Sequence, residues 1–259
     1  MSVPEQFKRG IQCAADIIRG SRNTVALTGA GISTPSGIPD FRTPTSGLWE
    51  KYDAFEVASL NAFRYNPENF FNWMRPLARD IHTASPNPAH RGLAQLEEAG
   101  YLQTIITQNI DGLHQQAGSR MVLEVHGSLQ SLTCVRCYQQ HNASDFIDAY
   151  VEQGVIPRCS KCSNYLKPDV VLYGEQLPAR TWLKAQESCK RCDLMVVAGS
   201  SLEVLPVAGL PMRAIDRGAH LIIINQSHTY IDVRADLILN ADVALAIPWI
   251  VQEVLSGRS

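Results

Sequence analysis

The sequence predicts an α/β protein built on a doubly wound parallel sheet with two inserted segments. Short apolar runs recur at Thr24-Val-Ala-Leu-Thr28, Thr104-Ile-Ile-Thr107, Val122-Leu-Glu-Val125, Leu194-Met-Val-Val-Ala198 and Leu221-Ile-Ile-Ile224, with a weaker one at Leu237-Ile-Leu239. Runs without polar alternation suit strands buried on both faces. Helical patterns separate most of them, as parallel crossovers require. Two stretches, 54–84 and 130–167, break this rhythm and read as insertions. The chain has 259 residues, 45% hydrophobic and 19% charged, enough for one large domain with such appendages.

Taken in order, residues 4–19 space Phe7, Ile11, Ala15 and Ile18 by three and four, an amphipathic helix opened by Pro4. The strand Thr24–Thr28 feeds Gly29-Ala-Gly-Ile-Ser33, a turn whose backbone N–H groups can face a phosphate, although Thr34 stands where a third glycine is usual. Residues 34–50 read as a long loop. Within it, Gly37-Ile-Pro-Asp-Phe-Arg42 sets a carboxylate, an aromatic ring and a guanidinium side by side, a composition suited to binding. Residues 54–84 read as helical through Phe55, Leu60, Phe63, Phe70, Phe71 and Trp73. Helices also follow over 88–99, closed by Gly100, and over 178–191 and 206–217.

Charge narrows the function. Lys and Arg total 23 against 25 Asp and Glu, a net charge of −2, so direct nucleic-acid binding is not expected. No apolar run reaches the length of a membrane span, and the charged N-terminal stretch has no secretory apolar core, so a cytoplasmic protein is expected. Thiols stay reduced there, and paired cysteines read first as metal ligands.

Six of the seven cysteines form three Cys-x-x-Cys pairs. Cys134/Cys137 and Cys159/Cys162 are separated by 21 residues; two such turns close a tetrahedron of four thiolates, a structural zinc site with no open position. Cys189/Cys192 abuts the strand at Leu194 and is expected to be half-buried packing, as is Cys13 on the first helix.

The remaining signal lies at strand ends. Gln108, Asn109 and Asp111 follow one strand, His126-Gly127 a second, Gly199-Ser-Ser201 a third, and Asn225-Gln226 a fourth. In open α/β sheets the ligand crevice lies outside the strands' carboxyl ends. Of the histidines, His126 therefore suits proton transfer, whereas His90, His114, His141 and His220 read as structural or solvated. Glu50 and Asp53 have the spacing of a dinucleotide ribose ligand, but they follow a Pro/Ser-rich loop rather than a strand, which argues against a dehydrogenase.

Together, Gly29–Ser33, Gly37–Arg42, Gly47-Leu-Trp49, Gln108–Asp111, His126-Gly127, the two zinc-spaced cysteine pairs, Gly174-Glu175, Gly199–Leu202 and Asn225 resemble, in order, the sirtuins, the NAD-dependent protein-lysine deacylases. The resemblance covers residues ~25 to ~245 and suggests the compact bacterial or archaeal type. It implies a Rossmann-like NAD-binding domain (1–41, 84–129 and 168–259), a cofactor loop and helical module (42–83) and a zinc-binding module (130–167). It implies NAD as co-substrate, acyl-lysine proteins or peptides as partners, structural Zn2+, and release of nicotinamide and O-acyl-ADP-ribose. His126 would be the general base and Asn109 would orient ribose and water. Cofactor contacts would come from Gly29, Ala30, Gly31, Ser33, Thr34, Asp40, Phe41 and Arg42. They would continue through Gln108, Ile110 and Asp111, then Gly199, Ser200, Ser201, Asn225 and Gln226, and Asp242-Val243 at the adenine. Val171, Leu172, Tyr173, Gly174 and Glu175, with Val204 opposite, would pair with substrate. Members preferring acidic acyl groups carry Tyr-x-x-Arg in the helical module; Phe71 and Met74 stand at the corresponding ends here, so acetyl or longer aliphatic groups are expected and succinyl is not. Mono-ADP-ribosyl transfer on the same fold is the alternative.

Overall fold

The computed structural model describes residues 3–40, 47, 50 and 52–257. Its centre is a six-stranded parallel sheet. The strands are β1 (Thr24–Thr28), β2 (Thr104–Thr107), β3 (Val122–Glu124), β7 (Leu194–Ala198), β8 (His220–Asn225) and β9 (Leu237–Asn240), in spatial order β3-β2-β1-β7-β8-β9. All the expected strands form, including the weak one at 237.

The apolar runs serve both faces because successive side chains alternate. Ala26, Ile105, Val196 and Ile222 pack under α1 (Glu5–Gly20), α5 (Pro88–Glu98) and α10 (Val243–Ser256). Leu27, Ile106, Val197 and Ile223 pack under α8 (Ala179–Arg191) and α9 (Leu210–Ile215). On α1 the inward stripe is Ile11, Ala14, Ala15 and Ile18, which turns Cys13 to solvent rather than into half-buried packing. Cys189 and Cys192 go further inward than expected and are buried in the second layer.

Two helical stretches are more broken than the periodicity suggests. Residues 54–83 form α2 (Ala54–Val57), α3 (Leu60–Tyr65) and α4 (Pro67–Thr83). The Ser59 and Asn66 side chains accept from Ala62 N and Asn69 N, so each caps a new helix inside the stretch. Residues 207–215 split into a 3-10 turn and α9, with Pro211 in the first turn of α9, where its missing N–H costs nothing.

The second sheet is antiparallel, β5 (Gln140–Asn142) against β4 (Gly127–Cys134) against β6 (Leu166–Val170). Among the described residues its buried core is Leu132, Leu166, Cys134 and Cys159. Between β5 and β6, α7 (Ile147–Gln153) leaves this sheet and packs on α4. Tyr150 and Val151 share a cluster with Phe71 and Met74, Tyr150 Oη donates to Phe71 O, and Arg75 Nε donates to Val151 O at 3.0 Å.

Candidate active site

The carboxyl ends of β1, β2, β3, β7 and β8 open into a cleft of about 1150 Å³ whose far wall is α4 and the loop after β6. Every residue expected at the cofactor or substrate lines it except Phe41 and Arg42, which lie outside the described residues, as do Leu48 and Trp49.

The glycine turn differs from its expected use. Gly29 N donates to Ala198 O at 3.3 Å and Gly31 N to Gly199 O at 2.9 Å, so both amides are committed to the neighbouring loop rather than open to a phosphate. The glycines serve close approach. A Cβ on Gly29 or Gly31 would sit 2.9 Å from Gly199 O, and one on Gly199, at φ +62°, would sit 2.3 Å from Ile32 N.

Past this junction the polar side chains form a directed network. Asn87 N donates to His90 Nδ1, which makes Nε2 the protonated ring nitrogen, facing Ser33 Oγ at 3.4 Å. Ser33 Oγ also accepts from Asn109 Nδ2 at 3.0 Å and donates to Asp111 Oδ2 at 2.7 Å, while Asp111 Oδ1 caps Leu113 N. Asn109 Nδ2 is also held by Gly29 O. The amide and the carboxylate are thus oriented before any ligand arrives. Behind them, the His90 and His114 rings meet edge to face at 4.9 Å. Burial pulls the His90 pKa down to about 4 and the His114 pKa to about 3, so both stay neutral near pH 7. They brace the site and do not titrate in it, in keeping with the structural reading of these two.

His126 follows β3. Its Nδ1 lies 3.0 Å from Gln108 O. A carbonyl only accepts, so Nδ1 carries the proton and Nε2 is the basic nitrogen of the neutral ring. Gly127, at φ +78°, is required here: a Cβ would lie 2.0 Å from Asp169 O. On the other side of β1, Ser200 and Asn225 exchange two hydrogen bonds, Ser200 N to Asn225 Oδ1 and Asn225 Nδ2 to Ser200 O, and Gln108 Nε2 reaches Ser200 Oγ at 2.8 Å. Asp242 caps α10 through Ala244 N.

The sequence reading missed Trp73, Leu77 and Ile81, which line the far wall with Met74. Their spacing of four places them on one stripe of α4; that periodicity was legible, but the ligand side of the stripe was not. His90 was also missed as a member of the network.

The metal-spaced cysteines converge. Their four Sγ atoms lie within 4.8 Å of one another, with Cys134–Cys162 at 3.4 Å and Cys137–Cys159 at 3.6 Å. A tetrahedron with Zn–S near 2.3 Å has sulfurs about 3.8 Å apart, so the set fits zinc. Both halves are built alike. Cys134 O accepts from Tyr138 N and Cys159 O from Ser163 N, and Tyr138 and Ser163 take φ of 58° and 57° to reverse the chain. With four thiolates and no open position, the metal is structural.

Residues 29–206 match the Sir2 family. NAD-dependent protein deacylase 2 of Archaeoglobus fulgidus is 47% identical over 250 residues, covering 96% of this chain and 98% of that protein. A solved structure from a study of the mechanism and regulation of Sir2 enzymes superposes with a TM-score of 0.91 at 46% identity, covering 97% of this chain and 100% of the other. Sir2Af2 bound to a myristoylated histone peptide superposes at 0.84 with 40% identity, covering 97% and 98%. The sheet, the cleft at its carboxyl ends and the four-thiolate centre agree with these likenesses, and the chain belongs to the Sir2 family.

Proposed function

We propose that the protein removes acetyl and longer aliphatic acyl groups from protein lysines at the expense of NAD, releasing nicotinamide and O-acyl-ADP-ribose. One observation carries the reading: His126, held through Nδ1, shares a dinucleotide-sized cleft with the pre-oriented Asn109 and Asp111. The deacylase name of the 47% identical relative and the acylated peptide on a solved neighbour support it.

NAD, when bound, supplies a ribose carbon that becomes electrophilic as nicotinamide leaves. His126 Nε2 takes the proton of a ribose hydroxyl. Asn109 orients ribose and water, and Asp111 with Ile110 holds the carboxamide. Gly29, Ala30, Gly31, Ser33, Thr34 and Asp40 would wall the reacting sugar. Gln108, Gly199, Ser200, Ser201, Asn225 and Gln226 hold the adenosine side, and Asp242 and Val243 border the adenine. The substrate strand lies between Val171–Glu175 and Val204. Because the acyl group ends on ADP-ribose, the net reaction is a transfer.

Trp73, Met74, Leu77 and Ile81 line the far wall, where the acyl chain would lie. Among the described residues no lysine or arginine lines the cleft, and Arg75 is turned away onto the carbonyls of Val151 and Glu152. Among the described residues a carboxylated acyl group would meet no cation on that wall, which favours aliphatic groups. Thiolate zinc ligands suit a reducing compartment, which favours the cytoplasm. Among the described residues no helix is long and apolar enough to cross a membrane. The near-neutral charge favours protein rather than nucleic-acid partners.

Mass spectrometry of an acetyl-lysine peptide with and without NAD tests the reading, with free lysine and acetyl-ADP-ribose expected only with NAD. His126→Ala should lower kcat/KM by about 10²–10⁴ with an unchanged melting temperature; retained turnover would mean another base. Label passing from NAD to protein without deacylation would replace this reading with ADP-ribosyl transfer.

A further inference from the structure

Outside the reacting groups lies an ion pair with no part in the chemistry above. Lys167, in β6, does not line the cleft. Its ammonium is mostly shielded from solvent and donates to Val170 O at 2.8 Å and Pro168 O at 3.2 Å, and it pairs with Glu175 Oε2 at 2.9 Å. The same Glu175 oxygen accepts from Leu172 N at 2.9 Å, and Glu175 N donates to Leu172 O at 2.9 Å. Asp169, the other acid near Lys167, is occupied by Ser131, Thr133 and Gln140. Lys167 thus ties the two ends of the 167–175 segment together.

That segment is the proposed substrate edge. It is pinned at two further points: Val171 N donates to His126 O at 2.8 Å, and Tyr173 exchanges backbone bonds with Ala58 and Leu60. The Tyr173 bonds fix the middle of the turn 172–175, and its closure, needed to present a strand edge to a peptide, rests on the Glu175 carboxylate that accepts from Leu172 N. Lys167 anchors that carboxylate to the preceding strand, because Pro168 O, Val170 O and Glu175 Oε2 converge on one shielded cation.

We propose that Lys167 is a positioning residue for the acyl-peptide substrate, acting through Glu175 to hold the 171–175 edge in its peptide-pairing conformation. This rests on the deacylase reading. Loss of the clamp frees the turn, so peptide binding absorbs the cost of ordering it while the NAD side, built on β1, β2, β7 and β8, is untouched.

The test is a steady-state comparison of the full zinc-loaded chain with Lys167→Met and Lys167→Arg. Lys167→Met should raise the KM for an acetyl-lysine peptide about ten-fold, with kcat within about two-fold and the KM for NAD unchanged; Lys167→Arg should recover most of the loss. An unchanged peptide KM, or equal rises in both KM values, would overturn the proposal. If Lys167→Met fails to fold, Lys167→Gln replaces it, since its amide can still donate to a carbonyl while the charge is removed; the same peptide-selective rise is required. Fluorescence anisotropy with a labelled acetyl-lysine peptide reads affinity without turnover. A parent that binds peptide more tightly than Lys167→Met but deacylates nothing would defeat the catalytic reading and leave the clamp standing. A parent that binds no peptide would defeat both.

Discussion

Two regions of this molecule carry the same spelling, Cys-x-x-Cys, and put it to opposite uses. In the small sheet, each pair sits on a turn closed by a left-handed residue, Tyr138 or Ser163, and Arg136 N and Cys137 N approach Cys134 Sγ at 3.5 Å. Amides aimed at sulfur favour thiolate. Two such turns face each other, and the buried aliphatic core beneath them is Leu132 and Leu166. At the α8–β7 junction, Cys189 ends a helix and Cys192 leaves it in extended backbone at φ −68°, ψ 147°, leading into β7. Among the described residues no second pair joins them; they share a buried cluster with Val25, Met195 and Val197. One region recruits a metal because it has too little apolar surface to hold itself. The other uses sulfur as one more apolar group in a core that is already sufficient.

The largest effect should come from breaking the metal shell. Cys134→Ser, or prolonged chelation, should abolish stoichiometric zinc and remove on the order of 10 kcal/mol from the small sheet, seen as lost β signal and aggregation. A melting curve like the parent's would show that the aliphatic core suffices after all. Cys189→Ala should cost only about 1–2 kcal/mol in urea unfolding, with zinc content unchanged, since it deletes one buried sulfur from a packed layer. Zinc loss in this variant would break the contrast. The smallest effect, and the sharpest discriminator, is reactivity. Burial pushes the Cys189 thiol up to about 12 and the Cys192 thiol up to about 11, so both remain protonated at pH 8. A disulfide reagent at that pH should titrate one fast thiol in the zinc-loaded protein, the exposed Cys13. After chelation the four ligand thiols should appear while Cys189 and Cys192 stay silent; their early reaction would refute the inert-core assignment.

The pair at 189–192 also marks how far reading the sequence reached. Strands were legible because burial on both faces leaves no polar alternation, as at Leu194–Ala198. The metal quartet was legible because tetrahedral coordination restricts ligand spacing. Helix boundaries inside 54–83 were harder, because Ser59 and Asn66 can sit within a helix or cap one, and the choice falls to packing around Phe63 and Phe70. The place of α7 was not legible at all: it lies between the two zinc turns in the chain, yet Tyr150 and Arg75 join it to α4.

The chain order and residue types were enough for the strand register of chemistry, with polar groups held back to the strands' ends and thiols set at metal spacing, because these patterns are local and each residue's neighbours enforce them. Convergence was left to the fold. That Gly31 must be bare because Gly199 presses on it, that Ser33 joins Asn109 to Asp111, and that Lys167 closes on Glu175 are contacts between segments distant in sequence or across a turn. Only close packing fixes such distances, and a one-dimensional pattern carries no distances.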